Sequence, residues 1–121
     1  MSDEPPKFTY EFDGALVDDI LAERQTATVR IDDERDPRPG DRVSAQHPSG
    51  HEFAILTVRA AARVRAIMAL HFIESHDAKH GASDLDDLLA RLAEYYPEKT
   101  DGVTLAPRTP VHVVVFEVIE R

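Results

Sequence analysis

The chain has 121 residues, the length of one compact domain. It contains no cysteine, which excludes disulfides and cysteine-ligated zinc, and no apolar run long enough to cross a membrane. Asp and Glu number 23 against 11 Arg and 3 Lys, which gives a formal net charge of −9.

This acidity has a physical consequence. At low ionic strength the like charges repel one another and destabilise the compact state, whereas at molar salt the Debye length falls to about 3 Å and screens the repulsion. High acid content, scarce lysine and no cysteine together resemble haloarchaeal proteins, so we expect a halophilic protein. No cationic segment followed by an apolar run opens the sequence, and we therefore expect a cytoplasmic location.

The first half of the chain predicts short strands around one helix. Residues 1–7 are polar and are expected to form a disordered tail ahead of a domain over 8–121. Residues 8–12 alternate apolar and polar, as in a strand. Asp13 is placed to cap a helix whose apolar positions are Leu16, Val17, Ile20 and Leu21. Residues 26–32 (TATVRID) then predict a strand with Ala27, Val29 and Ile31 on its core face and Thr26, Thr28 and Arg30 on the other.

The second half predicts more strands, two helices and a last buried strand. A Pro- and Gly-rich turn over 36–41 precedes a strand at 42–46, and residues 52–64 form either one bent strand or two strands. Helices follow over 65–75 and from about Ser83 to Pro97, the second with a leucine stripe. Residues 111–120 are apolar on both faces, which is typical of a central, well-covered strand. We expect five core residues to be buried: Leu88, Leu92, Val113, Val115 and Phe116.

The order of these elements favours an α+β fold. One helix follows the first strand, several strands come next, and two helices precede the last strand, so the pattern does not suit a doubly wound parallel sheet. The last strand lies far in sequence from its expected partners. The sheet must therefore curl around it, as in a small β-barrel.

Several segments in this order resemble an ASCH domain over nearly the whole chain, from about Phe8 to Glu120. They are RQTATVR (24–30), PGDRV (39–43), the YYP that ends the second late helix (95–97) and the final VVVFEVIE (113–120). The ASCH signature G-x-K-x-x-T-x-R falls on Glu23, Gln25, Thr28 and Arg30, of which the Thr and Arg match. The resemblance implies a PUA-like β-barrel, and it is nearest to the small single-domain type that includes bacterial acetylcytidine amidohydrolases.

The resemblance also implies recognition of RNA or a modified nucleoside in a cleft between barrel and helices. We predict ligand contacts from the corner where the first helix gives way to the second strand, by Arg24, Gln25, Thr26, Thr28 and Arg30. Thr hydroxyls and an Arg fork at such a corner are suited to a phosphate or a base edge. The alternative is an ordinary solvated strand face, on which Thr is a good strand former and Arg a surface charge.

Hydrolysis is the rival function. In the amidohydrolase members a Lys, a Thr and a Glu are taken as catalytic. Thr28 matches the Thr, the Lys position is Gln25, and the Glu position falls on His80 or Gly81, with Glu74 one helical stretch early. A glutamine amide does not titrate near neutral pH and is no substitute for a basic amine. An enzyme would therefore use Thr28 as nucleophile and His80 as an atypical base.

Other polar residues carry weaker alternatives. His76 and His80 have the i, i+4 spacing of a metal pair, but no closed ligand set is evident, and we predict no metal or other cofactor. Arg59, Arg63 and Arg65 suit either a phosphate-binding stripe or a charged edge strand. Three aromatic rings, of Phe72, Tyr95 and Tyr96, are candidates for stacking, although Phe72 and Tyr96 suit the core better. His112, in the last strand, is expected to be packed or hydrogen-bonded.

The sequence therefore predicts a domain that binds RNA or a modified nucleoside, lacks amidohydrolase activity and has no membrane partner. It does not distinguish a monomer from a dimer, although a monomer is favoured. An acetylcytidine-type amidohydrolase is the first alternative. An interaction module that keeps the barrel without a ligand is the second. What lies opposite Thr28 discriminates between the first two, because a titratable group in reach favours the enzyme.

Overall fold

A computed structural model describes residues 5–31, 35–96 and 106–120 of the chain. Strand β1 (Phe8–Glu11) leads into a single 3₁₀ turn (Gly14–Leu16) and helix α1 (Val17–Leu21). Strands β2 (Ala27–Arg30), β3 (Arg42–Gln46) and β4 (Glu52–Arg65) follow. Helices α2 (Ala66–Ser75) and α3 (Leu85–Tyr95) precede the last strand, β5 (Pro110–Glu120). The predicted order of strands and helices is confirmed.

The five strands form one mixed, curled sheet in the order β1-β3-β4-β5-β2. Only β1 and β3 run parallel, and the other pairs are antiparallel. β1 and β2 are the two edges of this half-barrel, and β5 lies between β4 and β2, as its apolar sequence predicts. The α+β class is confirmed, with the barrel open along one side.

The described residues form two apolar cores, one on each face of the sheet. Helices α2 and α3 cover one face, where the leucine stripe of α3 packs on alternate residues of β2 and β5. The concave face holds a second core built around Tyr10, Phe12, Ile20, Leu56 and Phe116. This second core explains why β5 is apolar at successive positions. The expected burial of Leu88, Leu92, Val113, Val115 and Phe116 is confirmed.

The long segment before α2 is one bent strand. β4 pairs with β3 through its first half and with β5 from Ile55 to Arg65, and irregularities between Ile55 and Leu56 and between Val58 and Ala60 shift the register. A bulge bends a strand and moves its later side chains to the opposite face, which is how β4 contributes to both cores. The pairing with β3 ends at Thr57, so the second half of β4 has β5 as its strand partner.

Two sequence predictions need adjustment. The strand predicted over 26–32 spans only Ala27–Arg30, and Asp32 lies outside the described residues. The face of β2 that carries Thr28 is not simply solvated, because it lies against the concave core and Thr28 is only 7% exposed.

The structure describes only part of the predicted tail and of the long loop before β5. Residues 1–4 and 97–105 are not described, whereas Lys7 donates its backbone N–H to the Arg42 carbonyl at 2.8 Å. The division into a tail over 1–7 and a domain over 8–121 stays a prediction. Within 5–31, 35–96 and 106–120, none of the helices has the length and apolar character needed to span a bilayer.

Candidate functional site

A cleft of about 370 Å³ opens where the two edge strands of the half-barrel face each other. Its walls come from the end of β1 and the turn after it, from β2, from the β3–β4 turn, from the α2–α3 loop and from α3. The lining includes the polar and charged side chains of Glu11, Asp13, Gln25, Thr28, Arg30, His80, Arg91 and Tyr95. Four of the predicted site residues, Gln25, Thr28, Arg30 and His80, are therefore brought to one cavity.

The end of α1 aims Gln25 inward. The N–H groups of Glu23 and Arg24 bond to the carbonyls of Ile20 (3.1 Å) and Asp19 (2.7 Å), which is the Schellman pattern of a helix C-terminus. Glu23 takes the left-handed conformation that this motif requires, with a φ of 60°. The chain then turns sharply and buries the Gln25 side chain to 4% exposure. Its Nε2 donates to the Ala27 carbonyl at 3.2 Å, which leaves Oε1 as an acceptor.

Thr28 and Arg30 lie on the cleft side of β2 but differ in their surroundings. The Thr28 hydroxyl has no hydrogen-bond partner among the described residues, although the side chain is buried. The Arg30 guanidinium lies 3.9 Å from the Tyr10 ring centroid and donates from Nη2 to the Glu11 carbonyl at 3.0 Å. Arg30 thus joins the two sheet edges across the floor of the cleft.

The α2–α3 loop is held against β2 by a second capped helix end. Asp77 has a φ of 52°, and the N–H of Ala78 bonds to the Ile73 carbonyl at 3.0 Å, a Schellman motif again. Thr26 then pairs with Lys79. The Thr26 N–H donates to the Lys79 carbonyl and the Lys79 N–H donates to Thr26 Oγ1, both at 2.9 Å. These two bonds place the next residue, His80, in the cleft.

His80 is held as a neutral imidazole. Its Nδ1 accepts a hydrogen bond from the Ala82 N–H at 3.0 Å, so the neutral ring carries its proton on Nε2. Burial, and secondarily the positive charge of Arg91, lowers the pKa of His80 to about 4, although Asp87 acts in the opposite direction. At neutral pH, His80 is therefore a hydrogen-bond donor through Nε2–H and a weak base.

Helix α3 supplies two lining residues, Arg91, which the sequence did not single out, and Tyr95, which is one of the predicted candidates for stacking. Arg91 bonds through Nε to Asp87 (3.2 Å) and through Nη2 to the Gly81 carbonyl (2.9 Å). Tyr95 is a large aromatic residue that remains 45% exposed at the cleft. The sequence does indicate an ion pair for Arg91, because Arg91 lies four residues after Asp87 on a predicted helix. That position alone does not show which loop the guanidinium meets.

Two predicted contacts lie elsewhere. Arg24 pairs with Asp19 at 2.9 Å on the exposed side of α1, and Thr26 uses its hydroxyl to hold Lys79. Neither lines the cleft, so a ligand contact by either stays a prediction that this geometry does not favour.

The remaining polar and aromatic residues have local partners. His76 is exposed, with Nδ1 at 2.9 Å from the Phe72 carbonyl. Phe72 and Tyr96 pack against the helical-side core, and His112 is buried in β5, as predicted. Arg59 and Arg65 are exposed along β4. Among the residues described, no three His, Asp or Glu side chains come together in a way that would hold a metal ion.

The arrangement is suited to binding more than to proton transfer. Gln25 offers an acceptor, Thr28 a hydroxyl that donates or accepts, and His80 a fixed donor. None of the three is charged at neutral pH. The His80 imidazole has its basic nitrogen occupied by the Ala82 N–H, so it is not poised to take a proton from Thr28.

Comparison with known proteins identifies the fold. No protein-family model and no curated protein sequence matches the chain. An ASCH domain from Lactobacillus crispatus superposes with a TM-score of 0.71 at 13% identity, covering 94% of this chain and 80% of that one. The protein EF3133 from Enterococcus faecalis gives 0.69 at 17% identity, with coverages of 99% and 84%. An ASCH protein from Zymomonas mobilis gives 0.57 at 10% identity, with coverages of 92% and 67%.

Proposed function

We propose that this chain, which has the fold of an ASCH domain, binds RNA or a modified nucleoside in the cleft between β1 and β2. The observation that carries the proposal is that Gln25 and Thr28, from one corner of the fold, meet His80, from a segment far away in sequence, at one cavity. Such a cavity is the ordinary setting for small-ligand recognition, with a few polar groups placed on apolar walls.

The polar groups match the edge of a nucleobase. The amide oxygen of Gln25 is an acceptor, the hydroxyl of Thr28 can donate or accept, and the imidazole N–H of His80 is a donor. Base edges present the complementary donors and acceptors. The Thr28 side chain is largely buried at the cleft and its hydroxyl has no hydrogen bond among the described residues, so a ligand in the cleft can pair with it. Tyr95 offers an exposed ring on which a base can stack.

The same groups argue against hydrolysis of acetylcytidine. A threonine hydroxyl needs a neighbouring base to become a nucleophile. Gln25 does not titrate, and the low pKa of His80, together with its bond to Ala82, makes this imidazole a poor proton acceptor at neutral pH. We therefore propose binding without turnover, with the acetylcytidine amidohydrolase as the rival that the following experiment decides.

The test replaces the Thr28 hydroxyl. Thr28→Val is expected to weaken binding of acetylcytidine or of short single-stranded RNA by roughly tenfold, because a paired ligand group loses its partner. Thr57→Val, on β4 and outside the cleft lining, is the matched control and is expected to bind as the parent does. Calorimetric titration gives the affinities, and chromatography of the same mixtures follows cytidine release.

The possible outcomes distinguish ligand binding, amidohydrolase activity and an interaction module without a ligand. Release of cytidine by the parent that Thr28→Val abolishes would establish the amidohydrolase instead. Equal affinities for the parent and both variants would remove the cleft from the function. If neither acetylcytidine nor RNA binds the parent, an interaction module that has kept the fold without the ligand becomes the better account.

A further inference from the structure

Arg91 is held so that one end of its guanidinium is free. Nε is bonded to Asp87 at 3.2 Å and Nη2 to the Gly81 carbonyl at 2.9 Å, which fixes the plane of the group. Nη1 has no acceptor among the described residues. The side chain lines the cleft and is about one-third exposed. A donor that is fixed in direction and open on one side is the form in which arginine recognises oxygen acceptors.

Gly81 leaves room for this position of the guanidinium. A Cβ at residue 81 would lie 3.0 Å from Arg91 Nη1 and would press on the guanidinium. Because glycine has no side chain, the α2–α3 loop and the arginine of α3 approach closely. His80, the neighbour of Gly81, presents an Nε2–H from the same loop. Two donors therefore lie at the junction of this loop with α3.

The acidic and basic side chains of the cleft differ in how far they are buried. Glu11 and Asp13 are exposed, whereas Arg30 and Arg91 are partly buried. Exposed charges are screened by salt far more than buried ones. Arg30 is already engaged with the Glu11 carbonyl and the Tyr10 ring. Asp87 stays ionised, because hydrogen bonds from Ser83 and Arg91 lower its pKa, but it lies on the Nε side of Arg91 and outside the cleft lining.

We propose that Arg91 binds a phosphate oxygen of the ligand, so that the cleft takes a phosphate-bearing nucleotide in preference to a bare nucleoside. This inference rests on the proposed function and adds the chemical class of the ligand. The phosphate is either the monoester of a free nucleotide or the diester of an RNA strand. Nη1 supplies the charge-assisted hydrogen bond, and a single such bond corresponds to roughly ten- to hundredfold in affinity.

The experiment compares three sets of probes on the intact chain: the four common nucleosides, their 5′-monophosphates and the 3′,5′-linked dinucleotides. Affinities are measured by calorimetry at matched ionic strength for the parent, Arg91→Met and Arg38→Met. Arg38 pairs with Asp36 on the surface outside the cleft, so its variant removes the same charge without touching the site. Gly81→Ala, which displaces Nη1 without removing it, is a second variant should Arg91→Met fail to fold.

The expected result is a preference of at least tenfold for monophosphate over nucleoside in the parent and in Arg38→Met. Arg91→Met is expected to abolish this preference and to leave nucleoside affinity within about twofold, and Gly81→Ala to reduce the preference at least threefold, since only the phosphate contact is affected. Dinucleotides that bind more tightly than monophosphates identify RNA as the source of the phosphate. Equal or weaker binding identifies a free nucleotide.

Contrary outcomes are distinguishable. Equal affinity for nucleosides and monophosphates in the parent overturns the phosphate assignment while the proposed function stands. The same holds if the preference persists in folded Arg91→Met, or in Gly81→Ala where Arg91→Met does not fold. A loss of nucleoside affinity equal to that of monophosphate affinity in Arg91→Met also overturns it. Failure of every probe and of acetylcytidine to bind the parent overturns both proposals.

Discussion

At the scale of single residues, the most informative position is the one where the ASCH signature has glycine and this chain has Glu23. The residue adopts a φ of 60°, which is a left-handed conformation that glycine reaches at little cost. A residue with a Cβ is strained there by about 1–2 kcal/mol. The departure from the signature therefore changes the energy of the turn, while the hydrogen bonds of the Schellman motif keep its geometry.

Glu23→Gly is expected to raise the free energy of unfolding by about 0.5–1 kcal/mol, because relief of the strain exceeds the added freedom of the unfolded chain. Urea denaturation measures the change, and Glu23→Gln isolates the effect of the lost charge. Ala22→Gly is the matched control, since Ala22 has a φ of −89° and its replacement is expected to destabilise. A Glu23→Gly variant no more stable than Glu23→Gln would contradict the strain argument.

His80 links the cleft to the pH dependence of stability. The pKa of His80 is lowered from 6.5 to about 4 in the folded protein. Between these values the unfolded chain binds a proton that the folded chain does not, so stability falls as the pH falls from 6.5 toward 4. We expect this group to account for a loss on the order of 2 kcal/mol between pH 7 and pH 4.5.

His80→Asn retains an acceptor for the Ala82 N–H and removes the titration. Urea unfolding of parent and variant at pH 7 and pH 4.5 gives the change in the free energy of unfolding for each protein. The difference between the two changes isolates His80, because the carboxylates contribute equally to both. Parallel pH profiles for the two proteins would show that His80 titrates normally in the folded state.

At the scale of elements, the site depends on two loops that meet. The corner between α1 and β2 and the loop between α2 and α3 both leave a Schellman-capped helix, and Thr26 and Lys79 then join them. Without this pair, His80 would belong to a surface loop. Thr26 is predicted to contact the ligand, and in this structure its hydroxyl accepts a hydrogen bond from the Lys79 N–H, next to His80.

Thr26→Val is expected to lower the free energy of unfolding by about 1 kcal/mol, because the Lys79 N–H loses its acceptor. It is also expected to raise the pKa of His80 toward 6.5 as the loop loosens and the imidazole gains water. Nuclear magnetic resonance titration of the histidines follows the pKa, and Thr26→Ser, which keeps the hydroxyl, is expected to behave as the parent. If the pKa of His80 rises to about 6.5 in Thr26→Ser as it does in Thr26→Val, the hydroxyl does not position the loop.

At the scale of the whole molecule, the net charge of −9 is the feature that determines how stability depends on salt. The ion pairs of the described residues are largely at the surface, as in the pair of Arg38 and Asp36, with side chains 72% and 75% exposed. Exposed pairs contribute little, typically about 0–1 kcal/mol each. They do not offset the repulsion among the acidic groups.

The melting temperature is therefore expected to rise between low salt and molar KCl, by roughly 5 °C for each kcal/mol of repulsion screened. A variant with Glu74→Gln and Glu94→Gln, both exposed and away from the cleft lining, is expected to start higher and to gain less from salt. Calorimetric scans measure both. A melting temperature that KCl leaves unchanged or lowers would contradict the halophilic prediction.

Much of the fold is determined by the sequence itself. Alternating apolar residues in β2, the leucine stripe of α3 and the doubly apolar β5 predict elements and their buried faces, because burial of apolar area depends on local periodicity. Residue identity also predicts that Gln25 cannot serve as a base. The same patterns predict the order of the elements, and the ASCH resemblance added the PUA-like barrel and the expectation of a ligand cleft at the corner that carries Thr28 and Arg30.

The tertiary structure decided which residues share the cleft. Thr26 and Lys79 are 53 residues apart and meet only because the sheet curls and brings the two helix ends together. The burial of Thr28, the engagement of Arg30 with β1, the tautomer of His80 and the orientation of Arg91 all follow from contacts between distant segments. Periodicity describes one segment at a time, and the chemistry of a side chain in a cleft is set by neighbours that the segment does not contain.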